Sequence, residues 1–82
     1  MLTEYIAAAM NRAKYEILAD DGSYYGEIPD LPGVWANAST LEACREELRE
    51  VLEEWIAFRL TKDKSVPVVD GIDIRFKKLT SA

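Results

Sequence analysis

Residues 15–33, YEILADDGSYYGEIPDLPG, carry two short alternating segments around one strong turn. Side chains alternate along a strand, so an extended segment over residues 14–20 places Tyr15, Ile17 and Ala19 on one face and Glu16 and Leu18 on the other. Asp20-Asp21-Gly22-Ser23 then turns the chain, because Asp tolerates left-handed backbone and Gly adopts it freely. The strand resumes over residues 24–28 with Tyr24, Gly26 and Ile28 on one face, which makes the pair a β-hairpin. Pro29 and Pro32 end it by removing backbone donors, and Gly33 frees the chain to turn again.

Working outward, residues 34–38, VWANA, form a third strand with Val34, Ala36 and Ala38 on one face and Trp35 and Asn37 on the other. Ser39-Thr40-Leu41-Glu42 is a capping box with Ser39 as the first choice of cap and Thr40 as the second. The helix behind it runs to about residue 60. Leu41, Cys44, Leu48, Val51, Leu52, Trp55 and Phe58 recur along it at spacings of three and four, while the opposite face is charged. On the N-terminal side, residues 3–12 read as a short helix with Thr3 at its cap. About ten residues are marginal as an isolated helix, so this one docks either on its own domain or on a second copy. Beyond the long helix, Val66-Pro67-Val68-Val69 is an extended edge or a covering loop, Asp70-Gly71 is a turn, and residues 72–79 alternate as a last strand. That strand places Ile72, Ile74 and Phe76 inward and Asp73, Arg75 and Lys77 outward. The expected fold is α+β: a two-layer α/β sandwich in the order α-β-β-β-α-β, with one long helix on one face of the sheet.

Composition narrows the chemistry. Eighty-two residues make one domain, here 1–82, with 1–12 as a helical extension and 13–79 as the core. Fifteen acids against ten bases give a net charge of −5, which disfavours direct nucleic-acid binding and suits a basic protein partner. There is no His and one Cys, so the expectation is no Ser-His or Cys-His nucleophile pair, no disulfide within the chain and no bound metal or cofactor. No apolar run approaches the ~20 residues that span a bilayer, and the N-terminus lacks a basic leader, so a cytoplasmic protein without membrane contact is expected.

The segment from Tyr15 to Val69 resembles the HicB family of type II antitoxins. The residues that carry the resemblance are Pro29-Asp30-Leu31-Pro32-Gly33 after a hairpin, Ser39-Thr40-Leu41-Glu42-Ala43 at the helix start, and Val66-Pro67 before the last strand. It implies a partial RNase H-like sheet and a HicA-type toxin, a small basic RNA-cleaving protein, as partner. Many family members carry a C-terminal DNA-binding module; the sequence runs to Ala82 without one, which implies a stand-alone member. RNase H enzymes hold metal ions between carboxylates, and acids do fall at Glu16, Glu42, Glu46 and Asp73. Glu16 and Asp73 point away from the helix, so these acids are read as surface residues.

Three readings of function follow. The first is a non-enzymatic, antitoxin-like module that forms a homo-oligomer, a dimer or a tetramer, and masks the toxin sterically. The second is a metal-dependent nuclease, which the missing His and the diverging acids disfavour. A structural or ligand-sensing homo-oligomeric domain is a third reading. Leu18, Tyr25 and Trp35, on neighbouring strands, are the candidate oligomer or partner patch, although Trp35 also reads as packed locally on Pro32 or Tyr25. Glu46, Glu50 and Glu53 are the candidate contacts to a basic partner, against the ordinary reading of a solvated helix face. Cys44 and Trp55 are read as core.

Overall fold

The computed structural model describes residues 2–62 and 66–72. Within them the chain runs α1 (Leu2–Asn11), β1 (Lys14–Ile17), β2 (Tyr24–Glu27), β3 (Trp35–Ala38) and α2 (Leu41–Thr61). The strands form one antiparallel sheet in the order β1-β2-β3. The strand expected over residues 72–79 lies outside the described residues beyond Ile72.

The hairpin between β1 and β2 owes its turn to two local devices. The Asp21 carboxylate accepts from the Ser23 amide at 2.9 Å and from its hydroxyl at 2.7 Å. Gly22 takes a φ of 72°, where an L side chain would be strained. Both strands are shorter than the alternation suggested. Leu18 continues the ladder by one bond, its amide donating to Ser23 O at 2.8 Å, and Ala19 is exposed in the turn. The Pro29–Gly33 stretch makes two consecutive turns, Leu31 N–H to Ile28 O and Val34 N–H to Leu31 O, and these bury Leu31.

The cap of α2 is Thr40 rather than Ser39. The Thr40 hydroxyl accepts from the Ala43 amide at 3.0 Å, and its extended backbone, φ −128° and ψ 160°, is what a cap requires. Glu42 therefore falls one position too early to complete a capping box. The buried face of α2 is Cys44, Leu48, Leu52 and Ile56. Ile56 takes the core position expected of Trp55 because a buried stripe drifts around a helix of 3.6 residues per turn. Trp55 is half-buried; its indole N–H donates to Pro32 O at 3.1 Å, and Arg59 lies 4.8 Å over its ring. Leu41 and Phe58, also placed on the stripe, are exposed at its two ends.

The N-terminal helix docks on its own domain. Tyr5, Ala8 and Ala9 are buried in the same core as Leu48 and Leu52. The Tyr5 hydroxyl donates to Pro67 O at 2.6 Å, which ties α1 to residues 66–69. Those residues are a covering loop, with Val66 and Val69 buried. Val69 and Ile72 bond across an Asp70-Gly71 turn in which both central residues have positive φ, 49° and 78°, the geometry of a primed turn. Arg12, just past α1, bonds Asp30 at 2.5 Å and Asp70 at 2.7 Å, joining the Pro29–Gly33 turn to the covering loop.

Candidate functional site

The register divides the sheet into two chemically different faces. One carries the rungs Tyr15·Gly26·Ala36 and Ile17·Tyr24·Ala38, and α2 packs across its β2 and β3 half. Cys44 lies against it, with Sγ 3.6 Å from Ala36 O. Burial pushes the Cys44 thiol above its ordinary pKa, with a smaller push from Glu47, so at neutral pH it is a small apolar core group. A Cβ at Gly26 would fall 2.8 Å from the Tyr15 ring and 3.2 Å from Cys44 Sγ, so any larger residue here makes a neighbour shift.

The other face carries the rungs Lys14·Glu27·Trp35 and Glu16·Tyr25·Asn37, and no described helix covers it. Trp35 is 54% exposed. Its ring stacks on that of Tyr25, with centroids 6.1 Å apart and planes 26° apart. The two belong to neighbouring rungs two residues apart in register, a diagonal that aromatic side chains can span. The Tyr25 hydroxyl donates to Glu27 Oε1 at 3.2 Å. Desolvation and then that carboxylate raise its pKa, so the phenol stays protonated. Asn37 reaches back across the sheet to Ser23 Oγ at 2.9 Å and Tyr24 O at 2.8 Å. Of the three patch residues, the structure brings Tyr25 and Trp35 together. Leu18 is half-buried at the hairpin end of the same face, two rungs beyond Tyr25 and four beyond Trp35. The local packing that Trp35 finds is therefore on Tyr25, while Pro32 is engaged by Trp55.

A second feature went unread in the sequence: a groove of about 640 Å³ between α1 and α2. Ile6, Ala7 and Met10 form one wall, and Glu42, Arg45, Glu46, Arg49 and Glu53 the other. A second, smaller apolar hollow lies beside it, lined by Ile6, Ile56 and Leu60. Nothing local in the sequence marks it, because its walls are 30 to 50 residues apart and meet only when α1 docks. Glu46 and Glu53 stand on this groove, and Glu50 is exposed to solvent. Glu53 accepts from Arg49 at 3.4 Å one turn earlier, a pair that contributes little at this exposure. Glu42 and Glu46 border the groove while Glu16 is on the uncovered sheet face, so these acids do not converge; Asp73 lies outside the described residues. Among the described residues no group of three His, Cys, Asp or Glu is placed to hold a metal ion. No described helix is long and apolar enough to cross a membrane.

These features define a small α+β domain: among the described residues, a three-stranded antiparallel sheet with a helical layer on one face and an aromatic pair on the face that no described helix covers. The chain belongs to the UPF0150-like family, whose model matches residues 4–67. It is 32% identical over 62 residues to the UPF0150 protein ssl0259 of Synechocystis sp., a match covering 76% of this chain and 85% of that one. Among solved structures it is similar to TTHA0281 from Thermus thermophilus, with 42% identity and a TM-score of 0.86 over 94% of this chain and 95% of the other.

Proposed function

We propose that this chain is a non-enzymatic protein-binding module of the HicB antitoxin type, which acts in the cytoplasm as a homo-oligomer and neutralises a small basic RNA-cleaving toxin by covering its catalytic surface. One observation carries the reading: the stacked Tyr25–Trp35 pair, with Trp35 54% exposed, on a sheet face that no described helix covers. Solvent-exposed Trp on a flat, otherwise polar surface is the composition of a contact site, since Trp and Tyr supply large rigid area at low entropy cost. The net charge of −5 and the run of glutamates on α2 favour a basic partner and speed its encounter. Inhibition is steric, so no bond is made or broken and no metal or cofactor takes part. The Pro29–Gly33 turn and the helix start at Ser39–Ala43 add the resemblance to antitoxins described above.

The test is inhibition of RNA cleavage by a small, basic, His-containing protein encoded beside this chain. Wild-type chain is expected to abolish cleavage at equimolar ratio, and Trp35→Glu to weaken inhibition at least tenfold by placing an unpaired charge in a desolvated contact. Undiminished cleavage with excess folded chain would overturn the reading.

A further inference from the structure

The strand β3 forms one edge of the sheet, and among the described residues it has no strand on its far side. The Ile28 amide donates to Val34 O at 3.1 Å, so Val34 turns its carbonyl toward β2. Hydrogen-bonding direction alternates along an antiparallel strand, so Ala36 and Ala38 do the same. Trp35 and Asn37 therefore aim their N–H and C=O groups at the free side. The Asn37 side chain is held back across the sheet by Ser23 and Tyr24, so it does not occupy that side.

Edge strands are ordinarily guarded by charge or proline. The other edge of the described sheet, β1, carries Lys14 and Glu16. The strand β3 carries no charge, and it lies within residues 31–41, LPGVWANASTL, the longest run in the chain without a charged residue. In a protein of net charge −5, this is the stretch on which two like-charged copies approach with least repulsion.

We propose that a second copy of this chain docks on β3, antiparallel about a two-fold axis at Ala36, to make one sheet continuous across both copies. In this register Trp35 of each copy faces Asn37 of the other, and all the outward backbone groups of both residues are used, in four hydrogen bonds. Ala36 faces its own counterpart at the rung where side chains come closest, with Cα atoms about 4.5 Å apart, a spacing that small residues fit. A register centred one residue later pairs Asn37 with itself and leaves Trp35 opposite Ser39, outside the strand. The two Tyr25–Trp35 pairs then lie on one face of the joined sheet. The strand seam is small against the roughly 1,200 Å² of a standard interface, so the dimer depends on concentration, with a dissociation constant on the order of micromolar or weaker. The proposal rests on the homo-oligomer half of the function above and not on the toxin.

Sedimentation of the full chain reads the result. Wild type is expected to move from near 9.3 kDa at low concentration to twice that mass at high concentration. Asn37→Pro removes an outward donor without touching the β2–β3 ladder and is expected to stay monomeric. Asn37→Ala keeps the donor, loses the same side-chain bonds, and is expected to dimerise. A wild type monomeric at millimolar concentration overturns the dimer. A dimer unaffected by Asn37→Pro overturns the edge while leaving homo-oligomerisation and toxin binding standing. If circular dichroism shows Asn37→Pro unfolded, Ala36→Cys in a Cys44→Ala background decides: oxidation to a disulfide-linked dimer supports the two-fold register, and its absence overturns it.

Discussion

Gly26→Ala tests the closest packing in the molecule. A Cβ added at residue 26 would stand 2.8 Å from Cδ1 and Cε1 of Tyr15 and 3.2 Å from Sγ of Cys44. The Tyr15 ring, 36% exposed, can swing outward, whereas Cys44 is fully buried between α2 and the sheet and must give by a few tenths of an ångström within the core. Overpacking of this kind costs about 1–3 kcal/mol. Ala in place of Gly returns roughly 0.4–1 kcal/mol by restricting the unfolded chain. The net destabilisation is then about 0–2.6 kcal/mol, centred near 1.3 kcal/mol, where the melting-point drop is roughly 5–10 °C for a domain of this size. Thermal and urea unfolding followed by circular dichroism measure it. Repeating the substitution in Tyr15→Ala and Cys44→Ala backgrounds separates the two contacts, and the penalty is expected to shrink by about 0.5 kcal/mol or more in at least one of them. A higher melting point for Gly26→Ala, or the same penalty in all three backgrounds, would refute the packing described here.

Leu48→Ala should cost about 2–5 kcal/mol, since Leu48 is fully buried at the centre of the α2 stripe; an unchanged urea midpoint would contradict that placement. The Cys44 thiol should resist alkylation at neutral pH in the native protein and react at once in urea, because burial both shields it and disfavours the thiolate. The Asp21 carboxylate titrates below its ordinary value because the Ser23 hydroxyl and amide bond its charged form. Its contribution to stability is therefore complete above the ordinary carboxylate pKa and lost as pH falls through the lowered one. The melting-point gap between wild type and Asp21→Ala should accordingly narrow on acidification, and a gap that widened would reverse the sign of the argument.

Much of this fold is decided between neighbouring residues and was legible before any tertiary contact formed. The hairpin turn at Asp20–Ser23, the stops at Pro29 and Pro32, the alternating faces of β2 and β3, and the long amphipathic helix all follow from local backbone chemistry and from periods of two and 3.6. Trp35 on the uncovered face was legible for the same reason, as was the burial of Cys44. Where two local solutions were close in energy, local chemistry was not enough. Ser39 and Thr40 are both good caps, and the choice fell to Thr40 because the turn out of β3 gives it the extended backbone a cap needs. Ile56 entered the core ahead of Trp55 because of how α2 is rotated on the sheet, which depends on Ala36, Val34 and Leu31 from another part of the chain. The docking of α1 is wholly tertiary: its short apolar stripe suits its own core or a second copy equally, and the Tyr5–Pro67 bond and the Arg12–Asp70 ion pair join residues 62 and 58 positions apart. The groove between α1 and α2, and the side of β3 that no described strand pairs, exist only because strand order and helix placement bring some surfaces together and keep others apart; periodicity places a residue on a face but not what lies across from it.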